Sequence, residues 1–249
     1  MNLLEVEGVS KQFGGLTAVD NVTYRVGMNE IKGIIGPNGA GKTTFFNVIT
    51  GELKPTSGNI YMKGKDITNF PAHKICRIGM SRTFQLTFVF PDMTVFDCAW
   101  VGVYSRRKGP WNLFFSRIDR HGEIAKKTEE ICALVGLENK MDELASNLSY
   151  GDQKVLEIAM ALSTDPMILL LDEPTQGVGP KEADDIVNLI GRLSKSMSVV
   201  LIEHNIDIIM RICHDITVLN FGKVIAEGSC KEIACNEEVQ RIYLGDEMG

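Results

Sequence analysis

The sequence contains no apolar run long enough to cross a membrane. Its longest uninterrupted apolar stretches are short, such as residues 167–171 and 199–202, whereas a membrane-spanning helix needs about 20 mostly apolar residues. Residues 1–7 also lack the basic and apolar segments of a secretory signal. We therefore expect a chain that is neither inserted into a bilayer nor secreted.

The chain also lacks an excess of positive charge and cysteines that are spaced as metal-binding or redox pairs. The chain has 26 basic and 32 acidic residues, a net charge of −6. A broad nucleic-acid surface needs a positive field, so the composition predicts that nucleic acid is not a partner. No cysteines have the C-x-x-C spacing. Without secretion we expect free thiols in a reducing cytosol at Cys76, Cys98, Cys132, Cys213, Cys230 and Cys235.

What is present is the composition of a globular protein in which strands and helices alternate. The 249 residues are 44% hydrophobic and 23% charged, enough for one large domain or two small ones. Leucine-rich and β-branched runs at residues 167–171 and 198–202 predict strands, and the pattern at 182–193 between them predicts a helix. This order is the βαβ rhythm of a parallel sheet.

Other segments complete the predicted architecture. Early strands are expected at residues 22–26 and 31–35, and a closing hairpin at 216–219 and 224–227. Residues from about 90 to 165 are richer in helical patterns. The sequence thus predicts an α/β domain with an inserted helical segment.

A glycine-rich turn follows the predicted strand at 31–35 and fits G-x-x-x-x-G-K-[ST] from Gly36 to Thr43. In such a loop, backbone N–H groups encircle phosphate oxygens, and the N-terminus of the following helix adds positive charge. Lys42 can neutralise the β- and γ-phosphates, and the Thr43 hydroxyl can ligate Mg²⁺. We predict that nucleotide is bound by Gly36, Pro37, Asn38, Gly39, Ala40, Gly41, Lys42, Thr43 and Thr44.

An acidic pair provides the partner of this loop. The apolar run at 167–171 leads directly into Asp172 and Glu173, and a buried strand that ends in a carboxylate directs it to the carboxyl edge of the sheet. Asp172 is predicted to hold Mg²⁺. Glu173 can polarise a water molecule that attacks the γ-phosphate.

GTPases are an alternative class of phosphate-loop protein, and both of their short motifs occur here. Asp119-Arg120-His121-Gly122 fits D-x-x-G, and Asn139-Lys140-Met141-Asp142 fits N-K-x-D. However, D-x-x-G should follow a buried apolar strand, and residues 115–118 do not form one. We interpret both strings as solvated loops that play no part in nucleotide recognition.

The segment Leu148-Ser149-Tyr150-Gly151-Asp152-Gln153 is similar to the L-S-G-G-Q signature of ABC transporters, although Tyr150 replaces the first glycine and Asp152 the glutamine. The chain resembles ABC-transporter ATP-binding subunits along its whole length. Ser149 can also cap a helix, which makes its N-terminus an anion site. The apolar face of that helix is predicted to comprise Val155, Ile158, Ala159 and Leu162.

The resemblance implies a fold and further site residues. The fold is a P-loop NTPase (RecA-like) α/β core, residues 1–88 and 166–249, with an N-terminal antiparallel β subdomain. An α-helical subdomain, residues 89–165, is inserted and carries the signature. The family pattern places Phe13 against adenine, Gln85 on Mg²⁺ or water, and His204 on the γ-phosphate, with Ser149 and Gly151 as signature contacts to ATP. Gly179 stands where the family usually has the D-loop aspartate.

Within the family, the chain resembles ATPase subunits of branched-chain amino-acid importers, a group that also includes urea importers. The resemblance implies two membrane permease subunits, a second ATPase subunit, an extracytoplasmic solute-binding protein, and a position at the cytoplasmic face of the membrane. A non-transport ABC ATPase, of the DNA-repair or translation type, is the alternative. Repair members of the family insert long coiled coils, and translation members usually carry two ATPase cassettes in one chain. This sequence has no sustained heptad run and one cassette. The supporting segments are 13–16, 82–85, 93–95, 150–151 and 243–245.

Overall fold

The computed structural model describes residues 2–83, 89–108, 118 and 120–245. Within these ranges the strands are β1 (Leu4–Phe13), β2 (Leu16–Val26), β3 (Ile31–Ile35), β4 (Ser57–Met62), β5 (Lys65–Asp66), β6 (Met80–Arg82), β7 (Ile168–Asp172), β8 (Ser198–Ile202), β9 (Asp215–Asn220) and β10 (Lys223–Ser229). The α-helices are α1 (Lys42–Ile49), α2 (Ala72–Arg77), α3 (Val95–Lys108), α4 (Gly122–Val135), α5 (Tyr150–Leu162), α6 (Pro180–Leu193), α7 (Ile206–Ile212), α8 (Cys230–Ala234) and α9 (Glu237–Gly245).

The N-terminal sheet is antiparallel, with strand order β2-β1-β4-β5. In β2 the buried residues Val22, Tyr24 and Val26 alternate with exposed ones, as expected for a sheet with one face on the core. The strand predicted at 22–26 is therefore correct but begins earlier, at Leu16. The sequence reading did not identify β1, whose pairing with β2 contains several register shifts.

The second sheet has the order β10-β9-β3-β8-β7-β6. Its strands from β9 to β6 are parallel, and every residue of β3, β7 and β8 is buried. Continuous apolar strands of this kind are typical of a parallel sheet covered on both faces. The predicted strands at 31–35 and 198–202, the helix between β7 and β8, and the closing hairpin are confirmed.

Three helices, α3, α4 and α5, follow the edge strand β6 and pack against one another. Most of their buried apolar residues belong to the same apolar cluster as one face of the parallel sheet, while Phe96, Trp100 and Ala125 form a separate small cluster between α3 and α4. In α5 the predicted core face was partly wrong, since Leu156 is buried and Val155 is only half-buried. Contacts of α5 with α3, α4, α6 and β6 cover more than one side of the helix, so its buried arc is wider than a single stripe.

No helix within the described residues combines the length and the apolar character needed to span a membrane. All six cysteines are free thiols, as predicted.

Candidate active site

The phosphate loop joins the end of β3 to the start of α1. Two of its glycines are required by close backbone contacts. A Cβ atom on Gly41 would lie 2.3 Å from the carbonyl oxygen of Ala18, and Gly41 has a φ of 98°. A Cβ atom on Gly36 would lie 2.1 Å from the carbonyl oxygen of Leu219. The loop is thus enclosed by β2 and β9, and only glycine fits at these two positions.

Lys42 is held across this loop. Its Nζ atom donates hydrogen bonds to the carbonyl oxygens of Gly36 and Pro37, at 2.6 and 3.0 Å. Burial lowers the pKa of the Lys42 ammonium, while the nearby carboxylates of Glu173 and Asp172 act in the opposite direction. The ammonium is therefore a fixed cation at the position where the loop can receive phosphate oxygens.

Asp172, the last residue of β7, is fully buried, and its carboxylate is near enough to Lys42 to influence the pKa of that ammonium. Its Oδ2 atom accepts a hydrogen bond from the Arg82 guanidinium at 2.8 Å. Burial raises the pKa of the Asp172 carboxyl, and Arg82 opposes that rise. The Oδ1 atom is buried without a hydrogen-bond partner among the described residues. A buried carboxylate oxygen with free lone pairs, on a side chain that interacts electrostatically with Lys42 of the phosphate loop, fits Mg²⁺, which binds through one or two protein oxygens plus substrate phosphates.

Glu173 has a positive φ of 52°, which costs a non-glycine residue about 1–2 kcal/mol. Its backbone N–H donates to the carbonyl oxygen of Ile202 at 2.8 Å, so the turn after β7 is fixed on β8. The Oε1 atom of Glu173 lies 2.8 Å from Nε2 of His204. Because β7 and β8 are neighbours, the structure brings together these two residues, both predicted from the sequence as catalytic.

A cleft of about 380 Å³ opens between these groups. Its lining includes Asn38 through Thr44, Glu173 and His204, together with residues 16–18 of β2 and the Phe221-Gly222 turn. The sequence reading missed Phe221, an aromatic side chain that is 83% exposed. The only sequence signal was the turn between β9 and β10, which was interpreted as a hairpin connection.

Two other predicted residues lie differently. Phe13 does not line this cleft within the described chain. Its ring is half-exposed, and Nζ of Lys11 lies 5.0 Å from the ring centroid. The stacking of Phe13 on adenine therefore stays a prediction. Gln85 lies outside the described residues, so its role also stays a prediction.

The signature segment forms the start of α5. The Ser149 hydroxyl accepts a hydrogen bond from the backbone N–H of Asp152 at 3.1 Å, which confirms Ser149 as the cap of this helix. A Cβ atom on Gly151 would lie 2.6 Å from the carboxyl carbon of Glu182. Neither Ser149 nor Gly151 lines the cleft around Lys42 within the described chain, and Ser149 is exposed.

The remaining sequence strings have structural roles. Gly179, at the position of the D-loop aspartate, caps α6 and donates its N–H to Oε2 of Glu182 at 3.1 Å. Asp142 of the N-K-x-D string forms an ion pair with Arg120 and does not line the cleft in the described part of the chain. Gly122 of the D-x-x-G string begins α4, and Asp119 lies outside the described residues.

Comparison with known proteins identifies the class to which this fold and site belong. The family model described as "ABC transporter" matches residues 19–176. The chain therefore belongs to the ABC transporter family, and its ATP-binding domain is that of an ATPase, as the sequence predicts.

Individual relatives agree with this assignment over nearly the whole chain. The high-affinity branched-chain amino acid transport ATP-binding protein LivG of Escherichia coli (strain K12) is 39% identical over 252 aligned residues, covering 98% of each chain. The ADP conformation of MJ1267, an ATP-binding cassette of an ABC transporter, matches with a TM-score of 0.88 and 36% identity, covering 98% of this chain and 99% of that one. A dimeric, post-hydrolysis structure of the cassette MJ0796 bound to ADP and Pi matches with a TM-score of 0.78 and 25% identity, covering 91% and 98%.

Proposed function

We propose that this ATPase energises the uptake of branched-chain amino acids through separate membrane permease subunits, hydrolysing ATP in the cleft between the phosphate loop and the end of β7. The observation that carries the chemistry is the contact between Glu173 and His204, 2.8 Å apart at the ends of adjacent strands. The full-length similarity to LivG supports the solute class. The alternative, a non-transport ABC ATPase, is not favoured.

In this proposal, each residue that was predicted to bind phosphate or metal or to catalyse hydrolysis in this chain has a role. Lys42 neutralises the β- and γ-phosphates, and the backbone N–H groups of the loop bind their oxygens. Thr43, Asp172 and Gln85 hold Mg²⁺, which when bound offsets the charge that develops on the phosphates. Glu173 accepts a proton from the attacking water, and His204 orients Glu173 and contacts the γ-phosphate.

The proposed partners are two permease subunits, a second ATP-binding subunit and, indirectly, an extracytoplasmic solute-binding protein. The chain is then peripheral on the inner face of the membrane. A second cleft of about 360 Å³ supports a permease contact, because Arg82 and Thr83 line it immediately before the segment that contains Gln85. Residues of α5 also line this second cleft. Movement of the inserted helices relative to the core would therefore change the shape of the cleft.

Co-purification tests the transport assignment. When the chain is tagged in its native cells, we expect a multispanning membrane protein to be recovered with it. ATP hydrolysis by the recovered complex in vesicles should then increase when a solute-binding protein loaded with leucine is added. If ATP hydrolysis is stimulated by a binding protein loaded with urea but not by one loaded with leucine, the transported solute is urea and not a branched-chain amino acid. Recovery with nucleic acid or ribosomes, and with no membrane protein, would contradict transport.

Nucleotide preference is a separate expectation. Phe13→Ala should weaken ATP binding about five-fold, since loss of aromatic stacking costs about 1 kcal/mol. Phe90→Ala is the matched control, because Phe90 is 49% exposed against 45% for Phe13 and does not line the described nucleotide cleft. Asp142→Ala should leave the preference for ATP over GTP unchanged. Fluorescence titration with both nucleotides measures these effects, and a GTP preference that disappears in Asp142→Ala would show that N-K-x-D reads the base.

A further inference from the structure

Arg82 is a buried cation at the end of the edge strand β6. Its side chain is 6% exposed, and one nitrogen of its guanidinium donates to Oδ2 of Asp172 at 2.8 Å. A second nitrogen donates to the side-chain oxygen of Asn47 on α1, and the guanidinium carbon lies 5.5 Å from the centroid of the Phe46 ring. Arg82 thus connects three elements of the active site: β6, the phosphate-loop helix and the end of β7.

The two terminal nitrogens of the guanidinium have different partners, and this fixes the direction from which Arg82 approaches Asp172. A planar guanidinium presents its N–H groups at fixed angles, so an arm fixed on Asn47 fixes the direction of the other arm. Glu52 is a more distant third partner, with its Oε2 atom 3.8 Å from the guanidinium. The buried ring of Phe46 supports the face of the guanidinium. Arg82 is therefore held rigidly before it reaches Asp172.

Asp172 depends on this contact for its orientation. Among the described residues, Arg82 is the only group that donates a hydrogen bond to the Asp172 carboxylate, and Oδ1 has no partner. A carboxylate with one oxygen held and the other without a partner has a defined orientation and a defined site for a metal ion. Loss of a group that holds a metal ligand in this way typically weakens metal binding about 10- to 100-fold.

We infer that Arg82 is a positioning residue for Mg²⁺: it holds Oδ2 of Asp172 so that Oδ1 is kept for the metal ion that accompanies ATP. This inference rests on the proposed function of the cleft. It gives β6 a role in catalysis, because Arg82, the last residue of this strand, orients the carboxylate of Asp172. In the sequence the same strand leads toward Gln85.

Metal titration tests the inference. Mn²⁺ replaces Mg²⁺ as the probe, and its binding to the ADP-bound chain, with protein in excess over nucleotide, is followed by electron paramagnetic resonance. We expect Arg82→Lys to weaken Mn²⁺ binding about ten-fold or more, as loss of a residue that orients a metal ligand commonly does. The lysine keeps the positive charge but loses the planar set of N–H groups that binds Asn47 and Asp172 at the same time. Asn47→Ala keeps the whole Arg82 side chain and removes only the hydrogen bond between one arm and Asn47, so it should weaken Mn²⁺ binding less.

Two comparisons separate positioning from other causes. Affinity for ADP without metal should stay the same in both variants, because neither change touches the phosphate loop. Glu52→Gln, which alters only the distant partner, should bind Mn²⁺ as the wild type does. Arg82→Gln tests the opposite effect, since removing a cation near a metal site by itself strengthens metal binding. Stronger Mn²⁺ binding in Arg82→Gln would overturn the inference.

The decisive outcome does not depend on whether Arg82→Gln folds, although it leaves Asp172 buried without its cation. If folded Arg82→Lys and Asn47→Ala both bind Mn²⁺ like the wild type, Arg82 does not position Asp172. If the wild-type chain itself does not bind Mn²⁺ with ADP, the proposed function of the cleft is wrong instead.

Discussion

Glu173→Gln is expected to bind ATP like the wild type but to hydrolyse it about 100- to 10,000-fold more slowly, the usual contribution of a general base. The side chains that hold the phosphates and the metal, Lys42, Thr43 and Asp172, are unchanged. The glutamine oxygen can still accept a hydrogen bond from His204, but it cannot take a proton from water. Nucleotide titration and single-turnover phosphate release measure the two effects separately.

Glu203→Gln is the matched control for this variant. Glu203 is also a buried carboxylate at the end of a neighbouring strand, but it accepts hydrogen bonds from the N–H and hydroxyl of Thr175, at 2.9 and 2.5 Å, and does not line the cleft in the described chain. The amide oxygen of glutamine can accept both bonds from Thr175, but its NH₂ group then faces the backbone N–H of His204, which donates to Oε2 of Glu203 at 3.2 Å. We therefore expect a modest loss of hydrolysis, far smaller than that of Glu173→Gln. Near-normal turnover of Glu173→Gln would remove Glu173 from its proposed role.

Ser149→Arg is expected to abolish dimerisation driven by ATP while the single chain still binds nucleotide. Ser149 is exposed at the start of α5 and lies outside the lining of the cleft that holds Lys42. We therefore expect Ser149 to contact the γ-phosphate of ATP bound to a second chain, where the N-terminus of α5 would face the anion. A bulky side chain at this position blocks that approach. The Glu173→Gln background keeps ATP intact during measurements of molecular mass and ATP affinity.

Loss of the helix cap is a second effect of Ser149→Arg, and it costs about 1 kcal/mol. Ser229→Arg controls for it, because the Ser229 hydroxyl likewise accepts a hydrogen bond from a backbone N–H three residues later, at the start of α8, and Ser229 lies outside the nucleotide cleft of the described chain. It should dimerise normally. Mixing a Lys42→Ala chain with a Ser149→Arg chain should restore at most one shared site in each dimer. If Ser149→Arg weakens nucleotide binding by the single chain as much as Lys42→Ala does, the expectation that Ser149 contacts ATP bound to a second chain is wrong.

The parts of the site that are contiguous in sequence were predictable. The phosphate loop and the Asp172-Glu173 pair each combine a strand end with adjacent functional residues, so pattern and chemistry reinforce each other. The predicted strand at 167–171 was displaced by one residue because Asp172 still pairs with Ile202 in the sheet. A sequence pattern shows where apolar residues stop, whereas pairing can include the first polar residue beyond them.

The parts that depend on strand order were not predictable. The contact between Arg82 and Asp172 exists because β6 pairs with β7, although 90 positions separate the two residues. Phe221 reaches the cleft because β9 lies beside β3. The strand β1 was missed for a local reason. Gly8 has a positive φ of 58°, and the register shifts interrupt the alternation that predicts a strand.

The strand order also has a consequence for the time at which the site can form during synthesis. All four strands of the antiparallel sheet lie before residue 67, so their pairing partners emerge early. By contrast, β3 lies between β8 and β9, whose last residue is Asn220. Closing such long loops costs entropy and slows folding. A nascent chain that ends before residue 198 therefore carries the whole phosphate-binding sequence, but the strand that supports it still lacks both neighbours.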